Sequence, residues 1–447
     1  MAGAGFKTFN TGDVLTAADT NTYLMQQTVM VFADAAARTS ALGANVAEGM
    51  FSYLKDTNLT YRYDGSNWLS DAGTTSPLTT KGDLWSYSTT DARLAAGNNG
   101  ETLVADSAAT TGLRWSSTPS ASNPVINGAF DIWQRGTSFS LASAASPAYN
   151  ADRWMSNAET NAAATVSRQV ATDSTNLPNI QYCLRYQRNS GQTGTGTNTT
   201  ITSFETVNSI PFAGKTITLS FYARAGANYS ATSGALNYKL FTGTGTDQNA
   251  ALVTYTGNAT PINQTATLTT TWQRFSASAT LSSTLNEMAI AFNFSPTGTA
   301  GAADYYEITG VQIDIGSVAL PFRRTMSTLQ GELAACQRYY QKSFSYATAP
   351  ADGSNNPGQI YTTRQASSGS YDPTASVFLK VTMRTAPTVT LYNSFAASPA
   401  GQWSDGSTSG AAARAFSIGD NTFTLDNTDN AITAANQGIH YVASAEL

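Results

Sequence analysis

Between residues 123 and 324 the sequence breaks into short runs of alternating or β-branched and aromatic residues, separated by Gly, Asn and Thr. The runs fall at 165–170, 180–188, 199–207, 216–224, 235–241, 264–268, 273–281, 287–294 and 305–315. Each is too short to bury a core alone, and nine at this spacing predict two packed layers, a sandwich or jelly roll. Side chains alternate with period two along a strand. In 216–223, Ile217, Leu219, Phe221 and Ala223 therefore share one face, and that face is assigned inward.

The flanking segments differ. In 1–70, Thr16 and Asp19 resemble a capping box opening a helix that should run to Gln27. Val29–Phe32 reads as a short buried strand, Asp34 caps a helix stopped by Gly43, and Asp64-Gly65 marks a hairpin turn, giving a small α+β module. Residues 71–122 carry isolated apolar residues among turn formers. They fit either a flexible linker or a shaft in which several identical chains share one core, with Asp83-Leu84-Trp85, Ala92-Arg93-Leu94 and Leu103-Val104-Ala105 each supplying a strand. In 325–342, Met326, Leu329, Leu333, Cys336 and Tyr340 are spaced 3, 4, 3, 4 and fit one helical stripe, either a chain-to-chain contact or a helix on the sandwich. Residues 343–447 return to short strands and predict a second, smaller sandwich. The fold class is mainly β.

Composition narrows the function. At 447 residues the chain is long enough for about three domains. Charged residues are 12% and the net charge is −5, which disfavours nucleic acid, whose phosphates call for clustered Lys and Arg. One histidine, His440, and two cysteines, Cys183 and Cys336, cannot supply a histidine cluster or a four-cysteine zinc site. The thiols are expected free and buried. No run approaches the ~20 apolar residues of a membrane span, and the N-terminal residues lack an apolar core of signal-peptide length. A soluble protein made in a cytoplasm, without membrane insertion, is expected.

The search for chemistry is mostly negative. Gly214-Lys215-Thr216 has Ser209 where a phosphate loop needs glycine. His440 reads as a half-buried strand histidine. Asp304, Glu307 and Asp314 are the nearest to a carboxylate pair, but Glu307 and Asp314 differ by seven and on a continuous strand would face opposite sides. No cofactor is called for; a structural calcium on carbonyls and carboxylates is compatible, so metal content is open. Aromatic faces beside short polar side chains suit a sugar site, in which ring C–H faces stack and hydroxyls bond to amides and carboxylates. Trp133, Trp154, Trp403 and Asp405 are the glycan-binding candidates, with Trp403 the most exposed of them; core packing is the competing reading for the tryptophans.

Specific motifs carry a resemblance. Asn123-Pro124-Val125-Ile126-Asn127-Gly128-Ala129-Phe130-Asp131-Ile132-Trp133-Gln134-Arg135-Gly136 and Ala151-Asp152-Arg153-Trp154 resemble the opening of the jelly-roll, carbohydrate-binding-module-like domain of tailed-bacteriophage tail fibres. Gly316–Phe322 resembles its close, and Glu332–Tyr340, Met383–Val389 and Ala445-Glu446-Leu447 resemble later elements of such fibres. Residues 79–115 look like a shaft segment, and 1–70 is similar in placement to virion-attachment modules. The resemblance implies a homotrimeric, non-catalytic receptor-binding protein in the virion. It would be held to tail, baseplate or adaptor proteins by 1–70 and would present 343–447 as a tip to host-surface polysaccharide or lipopolysaccharide. The rival readings are a depolymerase tailspike and a purely structural tail or collar protein.

Overall fold

The computed structural model describes residues 10–21, 28–70, 76–98, 101–116, 123–171, 173–177, 179–346, 348–353, 357–363, 375–395, 400–404, 410–427 and 436–447. It is mainly β, and it divides into two compact units, Met1–Gly97 and Asn98–Leu447.

The first unit holds a four-stranded sheet in which Val29–Phe32 pairs parallel with Phe51–Leu54, followed antiparallel by Leu59–Tyr63 and Trp68–Ser70. The parallel step is bridged by the helix Ala35–Leu42, whose first turn is capped by Asp34 accepting the Ala37 N–H at 2.7 Å. Thr16 and Asp19 form the expected capping box; the remainder of that helix toward Gln27 lies outside the described residues. Val29–Phe32 is not buried as expected: it is an edge strand, with Val29 and Val31 more than half exposed. The interior holds Met50 and Leu54 together with Arg38, whose guanidinium lies 4.2 Å from the Trp68 ring centre and donates to Ser52 Oγ. Beyond the sheet, Leu84–Tyr87 and Asp91–Leu94 form a two-stranded hairpin.

In the second unit, Thr102–Ala105 and Leu113–Ser116 form another two-stranded hairpin. The sandwich follows as two six-stranded sheets. The front sheet runs Ala148–Tyr149, Met155–Ser156, Asn198–Ser203, Glu287–Phe294, Ala235–Gly243, Ala259–Thr267. The back sheet runs Gln273–Thr280, Thr216–Ala225, Tyr305–Ile315, Tyr182–Arg188, Ala164–Val170, Ser138–Leu141. Ile217, Leu219, Phe221 and Ala223 are fully buried on the inner face, as the alternation predicts. Phe221 meets Phe292 of the opposite sheet edge-to-face at 4.8 Å, the geometry the ring quadrupoles favour. The short strands at 138–141, 148–149 and 155–156, of which the first two are sheet edges, are too short to show a period in sequence.

A β-bulge in Tyr305–Ile315 overturns one expectation. Thr309 pairs with Tyr222 but Gln312 pairs with Ser220, so one strand gains a residue there. The slip puts Glu307 and Asp314 on the same, outer face, opposite Arg224 and Thr218. Gly310 makes it possible at φ +60°, where a Cβ would come within 2.8 Å of both Ile180 and Tyr222. The bulge also turns the Val311 backbone toward the 123–130 loop: its N–H donates to Gly128 O at 2.9 Å, and its carbonyl accepts from Asn123 Nδ2 at 2.8 Å. A Cβ on Gly128 would sit 2.3 Å from that carbonyl, so only glycine fits the loop here.

The helix Leu329–Gln337 begins at Thr328, whose Oγ1 accepts the Gly331 N–H. It is too short to carry the expected stripe. Tyr340 begins the strand Tyr340–Lys342, Met326 precedes the helix and is exposed, Leu329 is exposed, and Cys336 is wholly buried against the sandwich. The last part, expected as a second sandwich, is built from eight strands connected in one sheet. Asn436–Ser444 is its central strand, pairing with Tyr340–Lys342, Ile360–Thr363, Thr388–Asn393 and Gln402–Ser404. Gly410–Phe416, Thr422–Asn427 and Ala375–Phe378 continue it. Phe423 packs edge-on to Tyr441 at 5.1 Å although their strands are not neighbours, so the sheet curls over its own core.

Gly310→Ala forces an L-residue into the left-handed region and into a packed site. It is expected to lower stability by ~1–3 kcal/mol, read as a drop in chemical-denaturation midpoint at constant slope.

Candidate functional site

The three candidate tryptophans lie inside cores. Trp133 and Trp154 are fully buried, their indole N–H groups taken by the carbonyls of Phe130 at 2.7 Å and Asn127 at 3.3 Å. Trp403, expected to be exposed, is equally buried, and its N–H donates to Asp426 O at 3.0 Å. No ring face of the three is open to a ligand, because each is a sandwich or curled-sheet core residue. Asp405 lies outside the described residues. Trp403→Ala is therefore expected to act on folding, costing about 3–5 kcal/mol, with a thermal melt showing the loss before any binding assay does.

The motif residues around those tryptophans converge on a buried polar joint. Asp152 accepts the Gln134 backbone N–H at 2.6 Å and its side-chain amide at 2.7 Å; that amide also donates to Tyr340 O. Burial pushes the Asp152 carboxyl up, and the nearby Arg135 opposes the shift. Glu446 is gripped by two arginines: Arg135 Nη2 donates to Oε1 at 2.9 Å and Arg153 Nη1 to Oε2. Each guanidinium stacks 3.6 Å from a tyrosine ring centre, Arg135 on Tyr340 and Arg153 on Tyr339. Asn127 ties in the helix, its N–H donating to Glu332 Oε1 at 2.6 Å and its amide to the carbonyls of Ile132 and Asp152. Arg384 closes the far side by donating to the carbonyls of Ala445 and Glu446. Cys336 lies in the same interior, where burial raises its thiol well above the ordinary range and makes it a poor nucleophile. Cys183 is likewise free and buried.

The other chemical candidates are also occupied. Asp304, Glu307 and Asp314 are each fully buried and paired, with Arg188 at 2.8 Å, with Arg185 and Arg224 at 2.6 and 2.5 Å, and with Arg323 at 2.8 Å. His440, expected half-buried, is wholly buried and stacks on Phe344 at 4.0 Å. Its Nδ1 lies 2.9 Å from Ser343 Oγ, a proximity the sequence does not suggest, but that oxygen also accepts the Tyr441 N–H at 3.0 Å.

Open space lies instead along the helix Leu329–Gln337, which lines two grooves. One, of about 570 Å³, is mostly apolar, with Val207 and Met326 exposed on it and Tyr339 and Phe212 behind. The other, of about 730 Å³, mixes chemistries. Asp131 is held there by Arg324 Nε at 2.6 Å. The Tyr346 hydroxyl donates to Asp131 O and accepts the Trp133 N–H, both at 3.1 Å. Burial pushes that phenol up to about 12, with the Trp133 N–H and, more weakly, Arg168 opposing, so it stays neutral. The Arg168 guanidinium lies 4.5 Å from the Tyr182 ring centre. The groove residues come from five separate stretches, and of them only Leu329 and Leu333 belonged to a spacing read in the sequence, one that predicted a helical stripe rather than a groove.

No family model and no curated protein matches this chain. Among solved structures, a CBM4 structure is 19% identical over 43% of this chain and all of that one, with TM-score 0.25. The enzymatically active domain of bacteriophage CBA120 tailspike protein 4 is 11% identical over 44% of this chain and 22% of that chain, with TM-score 0.26. TmCBM61 in complex with β-1,4-galactotriose is 10% identical over 44% of this chain and 99% of that one, with TM-score 0.25. TM-scores in this range establish neither a shared fold nor a function.

The joint yields a direct test. Glu446→Gln removes the charge that both Arg135 and Arg153 face in a buried site. It is expected to cost about 3–5 kcal/mol, read as a fall in melting temperature.

Proposed function

We propose that this chain is a virion tail-fibre adhesin, a homotrimer that holds a phage to a host-surface glycan without degrading it. Residues 1–70 would face the tail proteins, and the sandwich with the curled sheet would face the host. The observation that carries the association is the pair of hairpins between 84 and 116. Each has two strands and no third partner among the described residues, and Trp85, Tyr87 and Leu103 stand exposed on them at 45%, 70% and 37%. A two-stranded hairpin is marginal in water. Three copies side by side would give these strands neighbours and cover those side chains. The resemblance of its sequence motifs to those of tail fibres supports the assignment to a virion. Three equivalent sites would turn weak sugar binding into attachment, with avidity gains of up to ~10²–10⁴.

Sedimentation of the purified chain at micromolar concentration should return the mass of three copies. The double variant Trp85→Ser, Tyr87→Ser should shift the population toward single chains while the sandwich keeps its melting transition. The wild-type protein should adsorb to a susceptible bacterium and leave its polysaccharide at full length. A protease-resistant monomer at that concentration, or failure to adsorb to any tested host, overturns the proposal.

A further inference from the structure

The mixed groove beside the helix Leu329–Gln337 carries features that select among glycans. Of the arginines lining the two helix-flanking grooves, Arg323, Arg324 and Arg338 are committed to Asp314, Asp131 and Glu205. Arg168 is different. Its backbone N–H is used by Thr137 O, but among the described residues its guanidinium has no carboxylate within ion-pair distance and rests only on the Tyr182 ring. The chain as a whole is acidic at −5, so this cation does not belong to a generally basic surface. A guanidinium held over a ring with no carboxylate partner can turn its N–H fork, which matches a carboxylate, to a ligand.

The surroundings fit a sugar ring. Leu329 is 58% and Tyr346 39% exposed, offering apolar surface for ring C–H faces. Gln181 and Gln330 are exposed amides within reach of hydroxyls. The groove also continues: Gln181 and Arg324 are shared with a second hollow of about 440 Å³ beside Asn179 and Ser174. Two open hollows that share lining residues suit a chain of sugars more than a single one.

Resting on the adhesin reading, we propose that this trough binds an acidic polysaccharide, with Arg168 receiving the carboxylate of a hexuronate unit and Tyr346 and Leu329 packing against its ring. The ligand is thus an anionic glycan chain carrying carboxylates, rather than a neutral one.

The test uses the full chain and isothermal titration with oligomers of galacturonate, mannuronate and hyaluronan, alongside neutral galactose oligomers of the same length and inorganic phosphate. At least one acidic oligomer should bind at least tenfold more tightly than the neutral one and than phosphate. Arg168→Gln should remove that preference, and Arg168→Lys should restore only part of it, since an ammonium keeps the charge but not the fork. Lys239→Gln, which deletes a positive charge outside both grooves, should leave binding unchanged. Equal binding of acidic and neutral oligomers overturns the proposal, as does an unaltered affinity in Arg168→Gln or an equal loss in Lys239→Gln. Cell adsorption separates the two readings: a variant Arg168→Gln that adsorbs like wild type sinks the trough and leaves the adhesin. A wild-type protein that binds hexuronate oligomers but no host cell sinks the adhesin and leaves the trough.

Discussion

The contact between Glu446 and the two arginines Arg135 and Arg153 holds the second unit in one arrangement. It is buried, so each charge has lost water and is stable there only because the others are present. Arg135 and Arg153 come from the loops that open the sandwich, Glu446 follows the central strand of the curled sheet, and Tyr339 and Tyr340 under the guanidiniums join helix to strand. Asn127 and Glu332 extend the same set of bonds into the helix. Sandwich, helix and curled sheet are thereby fixed by groups that cannot be satisfied separately. The two grooves along the helix inherit their shape from this joint.

Strand periodicity made the sandwich legible in the sequence. The inner face of Thr216–Ala225 follows directly from alternation, and so do most of the long strands. What alternation misses is local. The bulge at Gly310 changes the parity of Tyr305–Ile315, so residues seven apart share a face; one glycine in a β-rich run does not announce that. The heptad spacing from Met326 to Tyr340 failed for a related reason. Spacing describes a stripe only while the helix continues, and Arg338 begins the turn into a strand whose pairing with Asn436–Ser444 outweighs further helix.

The site was less legible than the fold. Tryptophans next to Gln, Arg and Asp look the same in sequence whether the polar neighbours meet a sugar or meet each other across a joint. Here they meet each other: the polar chain neighbours of Trp133 and Trp154 lie in the Asp152–Glu446 network, and the rings fill the core behind it. Motif resemblance therefore found residues that matter for the architecture. The groove residues Arg168, Tyr182, Arg324 and Tyr346 are individually ordinary, and only the folded chain brings them to one place.

The same burial gives the molecule an uneven response to ionic strength. Dissolved ions screen charges that water can reach, over about 8–10 Å at physiological salt, and act far less on pairs sealed in the interior. The bond from Arg414, more than half exposed, to Asp426 should soften in brine, whereas Arg188 with Asp304, both at 0% exposure, lies beyond that influence. A chain with so few charges, its central pairs enclosed, can pass between dilute and saline surroundings with its architecture intact.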